Sequence, residues 1–72
     1  MDINDFAAAE TITVWRPAPS RAKHPICTLQ RWLSNGVQDG WWFKGVGHAH
    51  HLTDEAVSDL LDRHVRLGNR VV

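Results

Sequence analysis

The sequence predicts a small α+β domain in which a short helix, a second helix, a two-stranded hairpin and a last helix follow one another. Three observations predict it. Apolar residues recur at helical spacing in two separate segments, an aromatic run follows a turn signal between them, and the chain has only 72 residues. A chain of this length holds one small core. We therefore expect a single domain over residues 1–72.

The N-terminal part is predicted to contain one short helix and one extended segment. Residues 3–10 include an Ala-Ala-Ala run, which favours helix. Thr11–Trp15 is β-branched and aromatic, which is typical of a brief extended segment. Two prolines follow and exclude a helix interior, so residues 16–24 are predicted to be a loop.

The second helix is predicted around Cys27–Ser34. Ile26, Leu29 and Leu33 recur at positions i, i+3 and i+7, which makes one inward stripe. Gly36 is expected to end this helix in the left-handed conformation. The opposite face of such a helix carries Cys27 and Arg31, with Thr28, Gln30 and Ser34 at its margins.

A hairpin is predicted next, and a final helix after it. Asp39-Gly40 is a turn signal, Trp41–Lys44 is a strand, and His48–Leu52 returns antiparallel after a Gly-Val-Gly reversal. Thr53 caps the last helix, which extends over Asp54–Leu67. Its inward pattern consists of Val57, Leu60, Leu61, His64 and Val65.

This order of elements is that of a reduced winged helix-turn-helix, with Cys27–Ser34 as the recognition helix and the hairpin Trp41–His51 as the wing. A helix of two turns suits a DNA major groove about 12 Å wide. The distribution of charge agrees with a DNA partner, although eight basic and eight acidic residues give no net charge. Between Thr11 and Thr53 the chain has several basic residues and a single acidic residue, Asp39. Phosphate binding depends on the local electric field more than on the total charge.

The chain resembles the phage excisionase family, whose DNA-binding domain is related to that of MerR-type regulators. The residues that carry the likeness are Thr28-Leu29-Gln30-Arg31-Trp32-Leu33, similar to a T-x-x-R-W-(V/L) core of the family's second helix, and Leu52-Thr53-Asp54-Glu55-Ala56-Val57, similar to the exit from its wing. The resemblance implies that several copies bind adjacent sites and bend attachment-site DNA. They would direct the integrase toward excision, so double-stranded DNA, integrase and further copies of the chain are the expected partners.

Arg31 is the strongest candidate for reading a base, because its planar fork can grip O6 and N7 of a guanine. Basic residues in the proline-containing loop can hold phosphate, and Lys44 before the reversal can reach the DNA backbone or minor groove. The full candidate set for DNA contact is Arg16, Arg21, Lys23, Cys27, Thr28, Gln30, Arg31, Ser34, Lys44 and His48.

Other interpretations compete with this one. The aromatic residues Trp32, Trp41, Trp42 and Phe43 can be a base-stacking platform, but in so short a chain we expect them to form the core. The histidines near Cys27 raise the question of zinc, yet a structural site usually pairs two ligand couples, so no metal is expected. The same fold can serve a small transcriptional regulator. A neutral net charge also suits a protein-interaction module that inhibits a host factor.

Several function classes are not expected. No catalytic motif is visible, so we predict neither an enzyme nor a cofactor or small-molecule substrate. One cysteine cannot form an intramolecular disulfide framework. No apolar run approaches the ~20 residues of a membrane span, and the acidic N-terminus lacks signal-peptide features. A cytoplasmic location is the expectation.

Overall fold

A computed structural model describes residues 3–19, 21–45 and 47–72. The elements are a 3₁₀ helix Ile3–Phe6, strands β1 Thr11–Trp15, β2 Cys27–Ser34, β3 Val37–Gly45 and β4 His48–Leu52, helix α1 Asp54–Arg66, and strand β5 Arg70–Val71. The strands pair antiparallel in the order β4-β3-β2-β1-β5. Helix α1 carries the chain from one edge of this sheet to the other.

The predicted winged helix-turn-helix is wrong, because the segment assigned to its recognition helix is a strand. Residues Cys27–Ser34 form β2, which pairs with β1 on one side and β3 on the other. Cys27 and Leu29 are buried while Leu33 is 58% exposed, so the helical stripe through Leu33 does not exist. The burial alternates with the two-residue period of a strand. The domain is a small antiparallel sheet with one α-helix.

The turn after β2 decides this outcome. Asn35 and Gly36 both have positive φ, 52° and 79°, which is the type I′ turn that an Asn-Gly pair favours between two strands. Ser34 and Val37 pair directly across it. The left-handed Gly36 therefore reverses a hairpin and does not end a helix.

The Asp39-Gly40 signal marks a bulge inside β3 and not a turn. Between the pairs Arg31–Trp41 and Leu33–Gln38, β2 advances two residues while β3 advances three. The extra residue is accommodated at Gly40, which is buried and has φ of 76°. A glycine with positive φ is the usual means of inserting such a residue.

The predictions for the other elements agree more closely with the structure. The extended segment Thr11–Trp15 is confirmed, and so is the hairpin, although the reversal between β3 and β4 includes Val46, outside the described residues. The first helix is shorter than predicted and is a 3₁₀ helix. Helix α1 is confirmed, with the Thr53 side chain accepting from the Ala56 amide. Within the described part of the chain, no helix combines the length and apolar composition that crossing a membrane requires.

The core lies between α1 and one face of the sheet. Its buried residues are Ile12, Val14, Cys27, Leu29, Trp41, Val57 and Leu61. The fully buried Trp41 donates its indole N–H to Asp54 at 3.1 Å, which ties β3 to the start of α1. Because all five buried strand residues point toward α1, the alternate residues of the same strands form a second face. No described α-helix covers that face.

Candidate functional site

The uncovered side of the sheet, which we call the open face, is defined by the strand register. Its residues form three cross-strand rows: Thr11, Gln30, Trp42 and His51; then Thr13, Thr28, Lys44 and Ala49; then Trp15 and Arg70. Trp32 follows Gln30 on the same face. Each row continues across neighbouring strands because side chains alternate with period two.

Two tryptophans pack together on the open face. The ring centroids of Trp32 and Trp42 lie 5.4 Å apart with 31° between the ring planes. Trp32 is 45% exposed and Trp42 is half-buried. The exposed indole of Trp32 keeps apolar area in water, which makes the pair a candidate contact site. Its position beside the Gly40 bulge brings the two rings into contact across β2 and β3.

Apart from Ala49 and Trp15, the rest of the open face is polar or basic. Gln30 and Lys44 are exposed, and Trp15 at the far end is paired with Arg70. In the three rows of the described register, no residue is Asp or Glu. From Thr11 to Trp15 the face extends about 14 Å along β1 at roughly 3.4 Å per residue. The surface thus combines aromatic rings at both ends with amide, hydroxyl and cationic groups between them.

Three of the predicted contact residues lie on this face, namely Thr28, Gln30 and Lys44. They were assigned to a helix and a wing, but the sheet brings them together. Ser34 is exposed at the end of β2, and Arg21 is exposed in the loop.

Arg31 lies on the other side of β2 and has a structural role. Its guanidinium donates to the carbonyls of Phe6 and Ala9 at 2.8 Å and of Ala7 at 2.9 Å. The same group lies 4.6 Å from the ring centroid of Trp41, within cation–π range. Arg31 is half-buried, so it holds the N-terminal segment against the sheet.

Cys27 belongs to the core, where it is 3% exposed. Burial raises the pKa of its thiol above the ordinary value of 9.0. The thiol therefore stays protonated at neutral pH, and the thiolate is the form that attacks or binds metal. Cys27 contributes packing.

Three further predicted residues, Arg16, Lys23 and His48, line a cavity on the α1 side of the sheet. His48 also stacks on Phe43, with ring centroids 5.6 Å apart. Among the described residues, no group of three His, Cys, Asp or Glu side chains is arranged to hold a metal ion.

The expectation that the aromatic residues form the core is right for Trp41 and wrong for Trp32. Trp41 is fully buried, Phe43 packs against the core, and Trp42 lies on the open face with Trp32. The signal that could have found this pair is the Asn-Gly turn. It sets the register of β2 and β3 and so brings the two rings side by side.

Comparison of the chain with protein-family models, with curated proteins and with solved structures finds no match.

Proposed function

We propose that this chain is a binding module for single-stranded nucleic acid and that the open face is its contact surface. The observation that carries the proposal is the packed pair of the exposed Trp32 and the half-buried Trp42 on a sheet face whose three paired rows contain no carboxylate. Unpaired bases stack on aromatic side chains of β-sheet modules, and each stacked base contributes about 1–3 kcal/mol. Gln30 and Thr28 lie two residues apart on β2 on the same face, and their side chains can hydrogen-bond to base edges.

The charges around the open face support the same ligand. Lys44 and Arg70 supply cations for the phosphate backbone, whereas the first half of α1 exposes Asp54, Glu55 and Asp59. Phosphate would be repelled from that end of α1. Since α1 is the one α-helix of the described residues, reading a major groove with a helix is disfavoured here.

The excisionase-type role becomes a weaker proposal for the same reason. It depended on a groove-reading helix at Cys27–Ser34, and that segment is β2. Binding to duplex attachment-site DNA, partnership with integrase, transcriptional control and a cytoplasmic location stay predictions. Preference for duplex over single strands is an outcome of the experiment below.

The experiment is fluorescence anisotropy with labelled single-stranded DNA, single-stranded RNA and a duplex of the same sequence. We expect single strands to bind more tightly than the duplex. Trp32→Ala and Trp42→Ala should each weaken binding roughly 5- to 140-fold, which is the stacking free energy converted to affinity. Lys44→Gln should reduce the slope of log K against log salt by about 0.7.

The matched control is Leu67→Ala, which removes a side chain 68% exposed at the C-terminal end of α1, away from the open face. This variant should bind like the wild type. Tighter binding of the duplex would favour the DNA-regulator interpretation. Absence of binding to all three ligands at low salt would overturn the proposal and favour a protein-interaction module.

A further inference from the structure

A cavity of about 540 Å³ lies on the side of the sheet opposite the open face. It is lined by Arg16, by residues 22–27, by the adjoining ends of β3 and β4, and by Leu60 and His64 of α1. Cavities of 300–1,000 Å³ are typical of small-molecule sites. These residues come from five separate stretches of the chain, so the cavity is built by the tertiary fold.

The inner wall of the cavity is apolar. Ile26, Cys27, Phe43 and Leu60 line it, and all four belong to the core or pack against it. Gly45 also lines it, and a side chain there would press on the Phe43 ring, whose Cε1 atom would lie 2.8 Å from the added Cβ. The wall is therefore shaped for the apolar body of a ligand and is held by the protein core.

The rim has only basic or neutral polar groups. Arg16, Lys23, His24 and His48 line it and are exposed. None of the described lining residues is Asp or Glu. A ligand that leaves water here meets positive potential at the mouth and apolar surface inside, which selects an anion with an apolar body.

His64 also lines the cavity. The Asn69 side-chain amide donates to its Nδ1 at 2.9 Å, an arrangement that favours the ring proton on Nε2. Burial, and secondly the charge of Arg63, lowers the pKa of His64. The lowered pKa favours the neutral ring at pH 7.

We propose that this cavity binds a small organic carboxylate, with the carboxylate at the Arg16–Lys23 rim and the apolar body against Phe43 and Leu60. The inference does not depend on nucleic-acid binding, because the two sites lie on opposite sides of the sheet. It assigns a role to the loop cations that is distinct from phosphate contact.

The test is a titration of the full chain with naphthoate and, separately, with naphthamide, followed by amide chemical shifts in ¹⁵N NMR spectra. The two probes share an apolar body and differ in charge. We expect saturable naphthoate binding with shifts at Cys27, Leu60 and His64 and not at Gln30. Naphthamide should bind roughly tenfold more weakly, since charge-assisted hydrogen bonds are lost.

Variants at the rim separate the cavity from general attraction to a basic loop. Lys23→Gln should weaken naphthoate binding roughly two- to fivefold, as expected for an exposed charge, and adding Arg16→Gln should weaken it further. Arg21→Gln is the matched control, because Arg21 is exposed in the same loop and does not line the cavity. Equal affinity for both probes, equal losses for Lys23→Gln and Arg21→Gln, or shifts on the open face would overturn the proposal, and so would absence of saturable binding.

Discussion

Arg31 links the N-terminal segment to the sheet through one side chain. The carbonyls of Phe6, Ala7 and Ala9 lie at and just after the end of the first 3₁₀ helix, and the Phe6 carbonyl also accepts from the Ala9 amide. The guanidinium donates to all three carbonyls from the neighbouring strand while its face lies against Trp41. The planar fork of arginine is suited to several acceptors at once, which the ammonium of lysine is not.

We therefore expect Arg31→Ala to lower the free energy of unfolding by about 2–3 kcal/mol, as for hydrogen bonds from a charged donor. Arg31→Lys should restore only part of the loss. Urea unfolding followed by tryptophan fluorescence measures both, with Arg21→Ala as the control at an exposed arginine. Wild-type stability of Arg31→Lys would contradict the role of the guanidinium fork.

Which tryptophan is buried follows from register and not from residue type. Trp41 and Trp42 are neighbours in sequence, yet Trp41 is fully buried and bonded to Asp54 while Trp42 faces outward against Trp32. Successive side chains of a strand point to opposite sides, so only one of these two neighbours can enter the core. The sequence did not predict that Trp32 joins Trp42, because that contact needs the pairing of β2 with β3.

At the scale of elements, the hairpin β2–β3 depends on two glycines with positive φ in different surroundings. A Cβ at Gly36 would meet no atom within 4 Å, whereas a Cβ at Gly40 would clash with the carbonyl oxygen of Leu52. Gly36 is thus needed only because the turn requires a positive φ. Gly40 is needed for its positive φ and also because a side chain would not fit beside β4.

Gly36→Ala should destabilise the protein by about 1–2 kcal/mol, the backbone cost of the left-handed conformation. Gly40→Ala should cost more, because β4 must also move away from β3. Chemical denaturation of the two variants gives the comparison. Equal losses of stability would show that the bulge region adjusts freely to a side chain.

Elements marked by local sequence signals were predictable. Elements whose apolar spacing fits both the helical period and the two-residue period of a strand were not. Thr53 and the acidic first turn fixed α1 through capping and the helix dipole. In β2, Leu29 fits both a helical stripe and a strand alternation, and only the Asn35-Gly36 turn distinguishes them. Of the candidate site, Gln30, Thr28 and Lys44 were found as polar residues, but the surface that unites them requires the long-range strand register.

For the whole molecule, the net charge is zero, but basic and acidic groups lie on different parts of the surface. Basic groups lie on the open face and at the cavity rim, and acidic groups are exposed on the first half of α1. The two proposed ligands are both anions for this reason. Total charge is thus a poor guide to the partners of this chain.

The stability of the molecule should be greatest between about pH 6.5 and pH 9. Because burial lowers the pKa of His64, the unfolded chain takes up a proton below its ordinary value of 6.5 while the folded protein resists, so stability falls as pH decreases. Because burial raises the pKa of Cys27, the unfolded chain ionises above 9.0 first, so stability falls as pH increases.

Urea unfolding over a pH series measures this profile. His64→Gln should reduce the loss of stability at acid pH and leave the alkaline side of the profile unchanged. Cys27→Ala should reduce the loss at alkaline pH and leave the acid side unchanged. If a variant keeps the wild-type dependence of stability on pH, other titrating groups cause the loss of stability on that side of the profile.

Residues 70–72 determine whether the edge of β1 is open to a strand of another molecule. The amide and carbonyl of Val72 both bond to Thr13, at 2.9 and 2.8 Å, and extend the pairing of β5 with β1. A copy in which β5 came away would offer the β-branched strand Thr11–Trp15 as a template for a strand of another molecule. Exposed edges of this kind nucleate aggregation. The short strand β5 therefore protects the β1 side of the sheet from such pairing, and its two residues offer little template of their own.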